Sequence, residues 1–205
     1  DRSDVTVTFT EVMSDKAILE LQRIPGIIEV EPVRIVPAVL RNGRKTYRGA
    51  INGLVTDPRL NRAIDKDVTT IFIRQEGVIL ASALADILDI TPGETLTVDV
   101  REGRQPVFDI PVIGIAETLL GSPAFMELGA LNRALHEPNR VSGAYLRIDA
   151  AQSEHIYRLL KDMPTVAGVS LKTDARVAFQ KMMDTGAGAM RYIMAAIAAI
   201  ITFGV

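Results

Sequence analysis

Residues 5–30, VTVTFTEVMSDKAILELQRIPGIIEV, carry a strand, a helix and the opening of a second strand in one run. Val5, Val7 and Phe9 alternate with Thr6, Thr8 and Thr10, the period of a strand with one buried face, written largely in β-branched residues. Ser14 is placed to cap a helix. Ala17, Ile18, Leu21 and Ile24 form its apolar stripe, and Pro25 with Gly26 end it. Ile28 and Val30 then begin the next strand.

Residues 144–169, AYLRIDAAQSEHIYRLLKDMPTVAGV, repeat this pattern without a gap when position i is laid on i+139. Val5, Val7 and Phe9 fall on Ala144, Leu146 and Ile148. Ala17, Leu21 and Pro25 fall on Ile156, Leu160 and Pro164. Any two β-α-β units agree to this extent, so the match is one of pattern and not of identity. Two such units separated by an insertion predict an α+β fold. Residues 1–33 and 141–173 are expected to form a split β-α-β layer of the ferredoxin-like or porter type, four antiparallel strands with both helices on one face. The two chain ends would then leave from neighbouring positions.

From 34 to 140 the texture changes to short strands broken by Gly, Pro and Asn, which predicts an inserted, mostly β lobe. Asn42 and Gly43 mark a turn between Ile35–Leu40 and Lys45–Leu54. Val78–Leu80 reads as a buried strand, with Ser82 as cap of a short helix that turns Leu84, Ile87 and Leu88 inward. Pro92 and Gly93 turn the chain into the alternating strand of Leu96, Val98 and Val100, and Glu102 and Gly103 lead to its partner, Val107–Ile115. Leu128, Leu131 and Leu135 suggest another short helix.

Residues 174–205 complete the expected organisation as a stalk followed by a truncated membrane helix. RYIMAAIAAIITFGV, 191–205, has no charge after Arg191 and no polar face. As a helix, the run from Tyr192 would be about 21 Å long, against roughly 30 Å of hydrocarbon. A cut-short span fits better than a buried helix, with Arg191 and Tyr192 at the membrane interface. The first residues, DRSDVTV, lack a signal-peptide pattern, so the chain is expected to be a piece of a longer one.

With 205 residues, 48% of them hydrophobic, the chain can bury a sizeable core. A formal net charge of −2 gives no basic face for nucleic acid. Cysteine is absent, which removes thiol chemistry and disulfides. No catalytic, cofactor-binding or metal-ligating pattern emerges. His136 and His155 share no ligand spacing, Ser82 and Ser122 have no adjacent base, and Asp86, Asp89, Asp99 and Asp109 are scattered. Arg41, Arg44, Lys45 and Arg48 read as a solvated hairpin, or alternatively as a face for anionic lipid headgroups.

Three stretches, PGIIEVEPV (25–33), GVILASALADILDITPGETLTVDV (77–100) and VIGIAETLLGSPAFMEL (112–128), followed by the apolar C-terminus, resemble ABC-transporter permeases of the FtsX-like family. The part covered is similar to their MacB-like periplasmic core domain. The resemblance implies an extracytoplasmic domain in the cell (inner) membrane, a cytoplasmic ATP-binding subunit as partner and a second permease copy. It also implies export or extraction of a hydrophobic or amphipathic substrate such as a lipid, lipoprotein, peptide or drug. The alternatives are an FtsX-type signalling module acting on a periplasmic partner such as a cell-wall hydrolase, and an enzyme with an unrecognised site. No G-x-x-x-x-G-K-[ST] run occurs, in keeping with ATP binding on another chain. Leu119, Leu120, Phe125 and Met126 flank a Gly-Ser-Pro break and are expected to form an apolar loop that meets substrate or partner, with Leu120 and Phe125 as its contacts and Leu119 and Met126 alternatively filling the core of the insertion.

Overall fold

The computed structural model describes residues 4–60, 76–117 and 122–171. In chain order the first elements are β1 (Val5–Ser14), α1 (Lys16–Gln22), β2 (Ile27–Asn42), β3 (Lys45–Leu54), β4 (Val78–Ala81) and α2 (Ser82–Leu88). There follow β5 (Thr95–Val100), β6 (Val107–Ala116), β7 (Ala124–Glu127), α3 (Leu128–Ala134), β8 (Arg140–Ile148), α4 (Ser153–Asp162) and β9 (Val166–Leu171).

The two strand-helix-strand units do lie together. Their strands take the order β2-β8-β1-β9, and β1 pairs antiparallel with β8 from Val5↔Leu146 to Thr8↔Gly143. Positions related by the 139-residue offset are buried in both units: Val5, Val7, Phe9, Ala17 and Leu21 in the first, Ala144, Leu146, Ile148, Ile156 and Leu160 in the second. Ser14 is not the helix cap. Its backbone still pairs with Arg140, so Asp15 takes the cap position, and Ser14 Oγ accepts only the Lys16 N–H at 3.4 Å. Gly26 turns the chain with φ +88°, where a Cβ would lie 2.8 Å from Gln152 Oε1 and 2.9 Å from Ile156 Cδ1.

The expected division at 33/34 falls inside an unbroken strand. β2 has 16 residues: Ile27–Val33 pair with β8, and from Val33 to Asn42 the strand pairs with β3. Pro32 and Pro37 lie within it, and hydrogen-bond alternation explains why it continues. The Ile35 N–H and the Pro37 carbonyl both face the β8/β5 side, donating to Ser142 Oγ at 2.8 Å and accepting from the Arg101 N–H at 2.8 Å. Pro37 thus turns its nitrogen to a stretch between the end of the β8 pairing at Val33 and the start of the β5 pairing at Ala38, where no ladder asks for an N–H. Pro32 turns its nitrogen to the other side, just beyond the end of β3 at Leu54.

The insertion is a closed barrel. β2 pairs with β3, β3 with β7, β7 with β4, β4 with β6, β6 with β5, and β5 returns to β2. Closure removes the exposed edges that a set of short strands would otherwise present. Val36, Leu40, Ile51, Leu80, Leu96 and Val98 belong to its core, with Leu84 and Leu88 of α2 and Leu131 of α3. Ile87, expected inward, is exposed, and Ser82 Oγ donates to Glu117 rather than capping α2. The cap that does form is Glu127, whose carboxylate accepts from the Gly129 and Ala130 N–H groups at 2.8 and 2.7 Å. Layer and barrel therefore share a strand, so the insertion is joined along β2 and not carried on a linker.

Candidate functional site

Between its β8 and β5 pairings, β2 has room beside it for side chains instead of a neighbouring strand. Arg34 sits there, 1% exposed, at the point where layer passes into barrel. Its guanidinium donates to Asn132 Oδ1 of α3 at 2.7 Å, to Glu102 Oε1 in the β5–β6 turn at 3.1 Å, and to Glu137 Oε2 after α3 at 2.5 Å. A buried guanidinium is costly unless paired, and its planar fork can serve several acceptors at once. Asn132 is satisfied in turn, its amide donating to the Arg140 carbonyl at 3.0 Å. The hub thus ties α3, the β5–β6 turn and the start of β8 to β2.

Each of the three partners of Arg34 also lines a cleft. Glu102 faces one of about 350 Å³ with Phe9, Val12, Val33, Ile35 and Tyr145, opened where β1 bulges away from β8 between Thr8 and Met13. Asn132 faces one of about 290 Å³ with Pro32, Thr56 and Glu127. Glu137 faces one of about 470 Å³ with Val12, Arg104, His136, Pro138 and Arg140. Among the described residues no three His, Asp or Glu side chains cluster as metal ligands.

Gly143 shows how tightly the layer closes beside the first cleft. A Cβ at this position would lie 2.4 Å from the Val7 carbonyl oxygen, across the ladder from β8 to β1.

The apolar contact expected from the sequence changes character. Phe125 and Met126 lie on β7, only 2% and 1% exposed. Met126 joins the barrel core, while Phe125, on the opposite face, packs in a cluster with Val33, Leu54, Ile79 and Ala116, with Tyr145 against it. Neither is a surface contact. The Gly-Ser-Pro break suggested a loop through this point, yet the strand starts directly after it, and the Pro123 carbonyl already accepts from the Ala81 N–H at 2.9 Å. Leu119, Leu120, Arg191 and Tyr192 lie outside the described residues. His155 is exposed on α4, and His136 follows α3 with φ +56°.

The basic hairpin is partly neutralised. Arg41 meets Asp99 at 2.6 Å and Lys45 meets Asp89 at 2.9 Å, while Arg44 and Arg48 are exposed. The hydrogen bond from Lys45, and then its charge, hold the Asp89 carboxyl below its ordinary pKa. A carboxyl shifted down on folding stabilises above its unfolded-state pKa, and the contribution is lost as pH falls through the folded value.

Sequence reading missed Arg34. Its only local signal is a lone cation within the apolar alternation of a strand, in PVRIVPAVL at 32–40.

This fold, a six-stranded barrel sharing a strand with a four-stranded α+β layer, is matched by solved extracytoplasmic domains of ABC-type transporters. In particular, the chain is similar to the extracellular domain of the noncanonic ABC-type transporter YknZ from Gram-positive bacteria. The TM-score is 0.51 at 14% identity, over 82% of this chain and 98% of that one. It is likewise similar to the periplasmic region of MacB from Actinobacillus actinomycetemcomitans, with TM-score 0.51 and 12% identity, over 87% and 94% of the two chains. No family model and no curated protein matches the sequence.

Proposed function

We propose that this chain is the extracytoplasmic domain of an ABC-type transporter permease, moving a hydrophobic or amphipathic substrate with energy from a separate cytoplasmic ATP-binding subunit. The supporting observation is a shared fold over nearly the full length of two transporter domains, at 98% and 94% of their chains. On this reading the four outer strands with α1 and α4 are the split β-α-β, porter-type layer. Residues 174–205 supply stalk and membrane helix, with Arg191 and Tyr192 at the interface. Among the described residues no helix is long and apolar enough to cross a membrane.

The layer receives movement from the membrane side, and the barrel presents it to substrate or to a second permease copy. β2 runs through both and Arg34 braces their junction, so displacement of one carries the other. Leu119 and Leu120 remain the proposed apolar contact. Leu120→Asp is expected to abolish export while leaving the melting temperature unchanged, and retained export with unchanged melting would remove the role. The wider reading is tested by isolating the tagged full-length permease from native membranes. An ATP-hydrolysing subunit should copurify with it, and repeated isolation without one would overturn the proposal.

A further inference from the structure

Pairing lapses on β1, β8 and β2 at the same height. β1 leaves β8 after Thr8↔Gly143, and β8 leaves β2 after Val33↔Gly143, so Thr8, Gly143 and Val33 stand side by side in one row across the sheet. Past the row, β1 rejoins β8 only at Met13↔Val141, with residues 9–12 standing opposite Ser142 alone. β2 takes its next partner on that side at Ala38↔Val100. A bulge interrupts a ladder and bends its strand, and here the interruption of β1 coincides with the gap between β8 and β2.

On either side of the row the structure is firmly tied. In the layer, Val5–Thr8 of β1 and Glu29–Val33 of β2 are both in register with β8. The arch of β1 is moored to this body, its Thr10 N–H donating to the Thr165 carbonyl before β9 at 2.9 Å. On the other side the barrel closes on itself, and Arg34, the first residue of β2 past the row, binds Glu102, Asn132 and Glu137. The start of β8 goes with the barrel, since the Asn132 amide donates to the Arg140 carbonyl at 3.0 Å. Beside the row, Val33 and Tyr145 pack in the cluster of Leu54, Ile79 and Phe125. The cleft of about 350 Å³ opens just past it, lined by Thr10 and Val12 of the arch and by Ile35 and Glu102 beyond the row. Ile35 is 44% exposed there.

We infer that the row Thr8–Gly143–Val33 is a hinge, about which layer and barrel turn as two bodies. The Val33–Tyr145 contact is the pivot, residues 9–12 take up the change in length along β1, and the cleft narrows and widens around Ile35. Bending along this line breaks no ladder hydrogen bond, whereas bending inside either body does, and hinges are placed at a few such positions between well-packed parts. The hinge follows from the pairing alone; that it is driven from the membrane rests on the transporter reading. On that reading, displacement of the layer reaches the barrel as a rotation, and the Arg34 hub keeps the rotation from being lost inside the barrel.

Spin-label pairs in the full-length permease, with any other cysteine replaced by serine and no nucleotide added, test the hinge independently of an ATP-binding subunit. His155→Cys on α4 with Ile87→Cys on α2 spans the row. Leu19→Cys with His155→Cys reports on the layer, and Ile87→Cys with Val107→Cys on the barrel, all at exposed positions. Double electron-electron resonance should give a distance distribution about twice as wide for the spanning pair as for either control. Ser142→Ala removes the side chain that accepts the Ile35 N–H past the row, so it should widen the spanning distribution further and leave both controls as they were. A spanning distribution as narrow as the controls, or a Ser142→Ala change that widens all three pairs alike, would overturn the hinge.

Discussion

Arg34→Ala is expected to destabilise the domain by about 3 kcal/mol, at the lower end of what removing one partner from a buried ion pair costs. The lower end applies because the carboxylates are not fully buried: the Glu102 and Glu137 side chains are 25% and 35% exposed, and water can reach them once the guanidinium is gone. Asn132, 5% exposed, would lose its partner without that relief. In a domain of this size such a loss lowers the melting temperature by about 6–12 °C. Arg34→Lys should recover only part of it, since an ammonium cannot fork to three acceptors in one plane. Arg34→Met with Glu102→Gln and Glu137→Gln removes all three charges and should be more stable than Arg34→Ala alone, because the penalty lies in stranded charge rather than lost attraction. A melting temperature for Arg34→Ala within two degrees or so of the parent would show that the hub does not brace the junction.

Phe125→Asp is expected to leave no folded protein. Removing a buried Phe side chain alone costs about 3–5 kcal/mol, and placing a carboxylate with no partner among Val33, Leu54, Ile79 and Ala116 adds several more. The sum reaches the whole stability of an ordinary domain, about 5–15 kcal/mol. Soluble expression should fail, or circular dichroism at 20 °C should show an unfolded chain. Phe125→Leu keeps the site apolar and should fold with a reduced melting temperature. A Phe125→Asp protein melting like the parent would return the residue to the surface and contradict the packing of β7.

The outer layer was legible because its rules are local. Alternation in Val5, Val7 and Phe9 and a stripe at Ala17, Ile18 and Leu21 are written within neighbouring residues, and the second unit writes them again 139 positions on. Barrel closure was not. Two of its ladders, β3 with β7 and β4 with β6, are parallel and join segments far apart in sequence, and no turn residue announces them. The Arg34 hub was hidden for the same reason, since its partners stand 68, 98 and 103 residues away. β4 and β7 are buried on both faces, so they lack the alternation that would have marked Phe125 as part of a strand. Pro32 and Pro37 both stand inside β2. Only the pattern of neighbours on each side of that strand explains why neither interrupts it.

The central claim, that this chain works on the outer side of a membrane as a transporter domain, meets its most direct test in cysteine accessibility. This chain contains no cysteine, so in a full-length permease whose remaining segments have any cysteine replaced by serine, one introduced thiol reports alone. Val107, at the start of β6 and 63% exposed, is the position to use. In intact cells carrying the full-length Val107→Cys permease, a membrane-impermeant maleimide added outside the cytoplasmic membrane should label the protein fully without lysis. Labelling that appears only after the cytoplasmic membrane is broken would contradict the account.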